Sequence, residues 1–153
     1  MVFACIRCVA VQKGGGKRGC RAVNYKEDII RYRVEPAEGT YQEALLMQRE
    51  KHWNTCANRL YYACFYAVSA LLQQHDFSSG KHSGVKAFFN QHFVKTGILD
   101  KEFGRLYSRL FDARQEGDYI DFVRYAAEDV EPWIEKVRLF IETVEEVIEK
   151  QKE

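Results

Sequence analysis

The sequence predicts an all-α fold, an antiparallel up-and-down bundle of four to five helices, and three features carry that prediction. Between Arg59 and Gln73 the chain is almost wholly apolar, with Ser69 the one clearly polar residue. As a helix this stretch is apolar on every face, so neighbouring helices or a second subunit must cover it. It is too short to span a bilayer, which takes about 20 apolar residues, and Ala63, Ala67 and Ala70 are strong helix formers. Further along, Trp133, Val137, Phe140, Val144 and Val147 recur at alternating spacings of four and three, the mark of a bundle seam. Proline is confined to Pro36 and Pro132, which favours long helices.

The first helix is expected over about Glu27 to Lys51, its apolar face built from Ile29, Ile30, Val34, Ala37, Tyr41, Ala44, Leu45 and Leu46. Pro36 removes a backbone hydrogen bond and clashes one turn back, so a kink or a junction of two segments is expected near Glu35 to Gly39. The second helix covers about Trp53 to His75, and Ser78, Ser79 and Gly80 make the following turn. A third carries Val85, Phe88, Phe89, His92 and Phe93 and stops at Gly97. Asp100 is placed to cap a fourth, with Phe103, Leu106, Tyr107, Leu110 and Phe111 on its apolar face, and Gly117 and Asp118 loosen its end. The last begins near Asp129, where Pro132 suits a first-turn position and the acidic residues Glu128, Asp129 and Glu131 oppose the positive end of the helix dipole.

The 153 residues carry a net charge of +1, enough chain for one domain. That charge is uneven. Arg7, Lys13, Lys17, Arg18 and Arg21 precede the first acid, Glu27, which leaves 18 basic against 22 acidic residues from Tyr25 onward. A folded part of that sign lacks the general basic face of a nucleic-acid binder. Residues 1–24, with Gly14 to Gly16 among basic residues and no apolar periodicity, read as a disordered or artefactual basic tail, and residues 25–153 as the helical domain. Organised sequence begins just after Val23, where the natural start is expected. No secretory pattern is visible, which points to the cytoplasm.

The cysteines fit the same compartment. Cys5 and Cys8, with Cys20 following, suggest zinc, yet no fourth ligand lies near them and no metal site is expected. Cys56 and Cys64 sit eight apart on one helix, about 12 Å, too far for a disulfide. They read as buried thiols in a reducing environment. No cofactor-binding motif is present: Gly14 to Gly16 neither follows a strand nor precedes a Lys-Ser or Lys-Thr pair.

The four histidines form no His-Glu-x-x-His or comparable pattern. His92, beside Phe88, Phe89 and Phe93, is expected to pack. His82, in Lys81-His82-Ser83-Gly84 at a helix start, is expected chiefly to help cap and turn, although exposed backbone N–H groups there would suit a phosphate.

Four motifs in series, over about Tyr25 to Phe140, resemble the small prokaryotic branch of the HEPN superfamily. They are Arg59-Leu60-Tyr61-Tyr62-Ala63-x-Phe65, Lys81-His82-Ser83-Gly84-Val85, Phe93-Val94-Lys95-Thr96-Gly97 and Leu110-x-x-x-Arg114-x-x-x-Asp118-Tyr119. The resemblance implies a HEPN-like bundle that pairs as a homodimer, with a minimal nucleotidyltransferase as partner in a toxin–antitoxin system. Ribonuclease members carry an Arg followed after four to six residues by His, and pair two such motifs to cut RNA without metal. Here Arg114 is followed at those places by Tyr119, Ile120 and Asp121. Tyr, with a pKa near 10, is a poor proton shuttle at neutral pH.

The sequence therefore argues against catalysis. The first reading is a non-catalytic HEPN protein that binds a nucleotide, RNA or a partner protein through Arg59, His82, Arg114, Asp118 and Tyr119. The alternatives are a metal-independent ribonuclease toxin in which His82 and Arg114 replace the missing pair, and a structural homodimer in which Arg114 and Asp118 only tie helix ends.

Overall fold

The computed structural model describes residues 25–119 and 123–151, with side chains over 27–117 and 123–151. All regular structure among them is helical: α1 (Tyr25–Arg49), α2 (Trp53–Gln74), α3 (His82–Phe89), one π-helical turn (Asn90–Val94), α4 (Lys101–Tyr119) and α5 (Ala127–Lys150). The helical bundle expected from the sequence is thus the fold, while the tail with Cys5, Cys8 and Cys20 lies outside the described residues.

Helix α2 occupies the centre. It packs against α1, α3, α4 and α5, and Leu60, Tyr61, Ala63, Cys64, Ala67, Val68, Ala70 and Leu71 are completely buried. Most of the apolar stretch is thereby covered within one chain, with Tyr61 and Phe89 completely buried in this core. Cys56 and Cys64 are buried free thiols. Burial raises both pKa values, that of Cys56 to about 11, so neither forms a reactive thiolate near neutrality.

Three expectations are revised. Helix α1 is continuous through Pro36, with no division into two segments. Ala37, Thr40, Tyr41 and Ala44 are buried immediately after the proline, and this packing holds the helix across the missing backbone bond. The Tyr41 hydroxyl donates to the Ile134 carbonyl at 3.3 Å, and Arg138 reaches Glu38 at 2.8 Å and Glu142 at 2.7 Å, so α1 is also fastened to α5. Helix α5 begins at Ala127, two residues before Asp129, and Pro132 falls in its second turn. Asp129 reaches back instead, accepting the Ala126 N–H at 2.9 Å. Finally, the third helix relaxes into the π turn, which closes on Gly97 at a φ of 79°. Gly97 and Asp100 act as expected, the latter accepting the Glu102 N–H at 2.8 Å.

The π turn and α4 meet where Gly104 has no side chain. A Cβ at Gly104 would lie 2.7 Å from Asn90 Oδ1 and 3.1 Å from a Val94 methyl. Gly84 plays a related part in α3, where a Cβ would approach the Ser79 Oγ to 2.1 Å and its Cβ to 2.9 Å. These contacts set the height of α4 and hold the turn before α3 against its first residues.

Two substitutions test this packing. Leu71→Asp places a carboxylate at a site with 0% exposure, at a cost of several kcal/mol against a total stability of about 5–15 kcal/mol. Loss of the cooperative melt in circular dichroism is the expected result. Gly104→Ala should stay folded but lose about 1–3 kcal/mol in urea denaturation.

Candidate functional site

Helix α2 exposes one strip of its surface at its N-terminal half. Asn58, Arg59, Tyr62 and Phe65 follow one another at helical spacing, so they share that strip. Arg114 arrives from the C-terminal half of α4 and His82 from the first residue of α3. Around the half-buried Tyr62 ring the Arg59 guanidinium lies 5.3 Å from the centroid, that of Arg114 5.6 Å, and the His82 ring 5.9 Å. Three of the five candidate residues therefore converge on one aromatic side chain. Asp118 and Tyr119 end α4, but their side chains, and the expected Arg114–Asp118 pair, lie outside the described residues.

A cavity of about 450 Å³ opens between α2 and α4, lined by Asn54, Asn58, Arg59, Tyr62, Arg114 and Gly117 among others. Arg59 is only loosely engaged by acid, with Nη1 3.4 Å from Glu43 Oε2, while Nη2 donates to Asn58 Oδ1 at 2.7 Å. Its Nε is buried with no hydrogen-bond partner among the described residues. The end of α4 is held from the other side: the Asn54 amide donates to the Val123 carbonyl and accepts the Tyr125 N–H, both at 2.8 Å. The Tyr125 hydroxyl donates to Glu116 at 2.6 Å. Burial first, and then this carboxylate, push the Tyr125 pKa up to about 12.

His82 departs from expectation. The residue at the N-cap of α3 is Lys81, whose side chain makes no capping hydrogen bond. The imidazole turns inward. Its Nδ1 lies 2.8 Å from the Tyr61 hydroxyl, and its ring stacks on Phe65 at 4.3 Å with 12° between planes. Tyr61 is completely buried and stacks on Tyr107 at 5.9 Å. Burial pushes its pKa up to about 12, so it keeps its proton at neutral pH. Burial, and secondly the Arg114 charge, hold the His82 pKa below its usual value. A neutral imidazole and a guanidinium, drawn from different helices, thus approach the same two rings, Tyr61 and Tyr62.

Which proton sits on which nitrogen decides the chemistry. If Tyr61 donates to Nδ1, the neutral ring carries its proton on Nε2 and offers a donor to a phosphate oxygen. If Nδ1–H donates to Tyr61, Nε2 is a base. Two guanidiniums suit phosphate in either case, since their planar forks match its oxygens. Among the described residues no group of three or more His, Cys, Asp or Glu is placed to hold a metal, and no helix is long and apolar enough to cross a membrane.

Sequence reasoning missed Tyr61, Tyr62 and Phe65 as the residues that gather this site, because aromatic residues in an apolar run read as core. The spacing from Asn58 to Phe65 was the available signal.

The helical bundle itself agrees with what comparison with known proteins gives. The HEPN domain model matches residues 30–147, and the chain belongs to the HEPN domain family. It is 43% identical over 130 residues to a UPF0332 protein of Thermotoga maritima, covering 85% of this chain and 98% of that one. A Methanocaldococcus jannaschii protein named "Putative toxin" is 29% identical over 119 residues, 78% of this chain and 80% of its own length. A UPF0332 protein of Archaeoglobus fulgidus is 24% identical over 125 residues, 82% of this chain and 99% of its own.

The environment of His82 is testable by its titration. Its imidazole proton signals in NMR should titrate with a midpoint below 6.5, the ordinary value, and Arg114→Gln should move that midpoint upward. Since the unfolded chain takes up this proton first on acidification, the neutral ring contributes stability above pH 6.5 that is lost as pH falls toward the folded pKa. His82→Gln should flatten that part of the stability–pH curve; an unchanged curve would contradict the assignment.

Proposed function

We propose that this HEPN domain protein binds single-stranded RNA or a nucleotide, holding phosphate between Arg59 and Arg114, without cutting it. The observation that supports this most is the convergence of Arg59, Arg114 and His82 within 6 Å of the Tyr62 ring, beside an open cavity. Tyr61, buried and protonated, favours the tautomer in which it donates to Nδ1 and His82 offers Nε2–H to a ligand. A homodimer is part of the proposal, as is a toxin–antitoxin role beside a nucleotidyltransferase. The name "Putative toxin" carried by Methanocaldococcus jannaschii relatives lends support to a toxin-like role.

A second reading, a metal-independent ribonuclease, is favoured by one observation: a neutral histidine approaches the same tyrosine rings as Arg114 although no histidine follows Arg114 at the family spacing. In that case Nε2 would take the proton of the attacking hydroxyl and Arg114 would stabilise charge at phosphorus.

Labelled single-stranded RNA separates the two. Arg114→Ala should weaken RNA binding by about 10–100-fold, the worth of a lost charge-assisted hydrogen bond, with the melting temperature nearly unchanged. A drop in melting temperature with binding intact would instead assign Arg114 a structural role. Incubation with RNA in EDTA should leave the RNA uncut. Cleavage that disappears in both His82→Ala and Arg114→Ala would establish the second reading. Light scattering at tens of micromolar should give twice the chain mass, and a monomer mass would remove the dimer.

A further inference from the structure

The strip of α2 that carries Tyr62 continues for two more turns, and a second cavity lies along it. This cavity, about 460 Å³, is lined by Tyr32, Arg33 and Pro36 from α1, by Phe65, Tyr66 and Ser69 from α2, and by the turn before α3. Tyr32 is 76% exposed and Arg33 is exposed beside it, an unusual placement for a large ring. Half-buried Tyr62, Phe65 and Tyr66 join the two cavities without a break, their ring centroids 5.9–6.2 Å apart. Ser69, the polar interruption of the apolar run, falls on the wall of this second cavity. The turn that forms its far side is seated against α3 by Gly84, so the wall and His82 are positioned together.

We infer that this second cavity is a base-stacking subsite that extends the Arg59–Arg114 site into a track for single-stranded RNA. The inference rests on the RNA-binding reading and adds where the rest of the strand goes. Aromatic faces accept any unstacked base, and Arg33 supplies a cation for the backbone at the far end. From Arg59 to Ser69 the track follows ~15 Å of helix, so only a ligand longer than a dinucleotide fills both cavities. A duplex does not fit this chemistry. Its bases are already stacked on one another, and its two phosphate rails call for the broad basic face that the helical domain, with 18 basic against 22 acidic residues from Tyr25 onward, does not possess.

The test is fluorescence anisotropy with labelled uridine and adenosine oligoribonucleotides, a dinucleotide and an octanucleotide, on the full chain and two variants. The wild type should bind the octanucleotide at least tenfold more tightly than the dinucleotide. Tyr32→Ala combined with Arg33→Ala, both at exposed positions, should remove most of that advantage, a loss of about tenfold or more. The same variant should leave dinucleotide affinity and melting temperature unchanged, while Arg114→Ala should weaken both oligonucleotides. Equal affinity for the two lengths, an octanucleotide advantage that survives in the double variant, or equal affinity for a duplex overturns the track and leaves the Arg59–Arg114 site standing. No binding of either oligonucleotide by the wild type overturns both. A double variant that alters oligomeric state and leaves RNA affinity intact assigns the cavity to a second copy of the chain and also overturns the track.

Discussion

A helix that is apolar on every side cannot be left at a surface, and the rest of the molecule is arranged around that constraint on α2. Burying one Leu or Phe side chain is worth about 1.5–3 kcal/mol, and the completely buried α2 residues Leu60, Tyr61, Val68 and Leu71 concentrate that gain in one element. Helices α1, α3, α4 and α5 each contribute a face to cover it. The covering is incomplete only along the strip from Asn58 through Tyr62 and Phe65 to Ser69, and that strip is where both cavities open. Site and core are therefore two sides of one helix.

Tyr61 belongs to both. Its ring is inside, stacked on Tyr107, and its hydroxyl reaches His82 at 2.8 Å. A buried hydroxyl needs a partner, and the imidazole supplies one while Phe65 covers its face. The histidine is consequently held by the core and not by the turn in which it stands. The same desolvation that raises the Tyr61 pKa lowers that of His82, because burial opposes the charged form of each.

Much of the fold was legible in the sequence, for identifiable reasons. The length and uniform apolarity of α2, the positive φ required of Gly97 and the capping carboxylate of Asp100 are local signals, and each is found in place. Pro36 does not divide α1, because its local cost is outweighed by burial of Ala37, Thr40, Tyr41 and Ala44 against other helices. The π turn at Asn90–Val94 leaves no mark in the sequence pattern. The family's motifs did name Arg59, His82 and Arg114, but their meeting at the Tyr62 ring depends on three helices in register. The Arg-to-His spacing along α4 has no bearing on a histidine delivered by α3.

The missing side chain of Gly104 reaches further than its own contacts. It sits ten residues before Arg114 on α4, about 15 Å along the axis, and an α-helix is stiff over that length. A Cβ there would press on the Asn90 side chain at 2.7 Å and on a Val94 methyl at 3.1 Å, so the close seat of α4 on the π turn depends on the glycine. Any larger residue would act as a shim under the near end of a rod whose far end carries the guanidinium. The reach of Arg114 is gauged, in effect, by an atom that glycine lacks, at a position well away from the guanidinium itself.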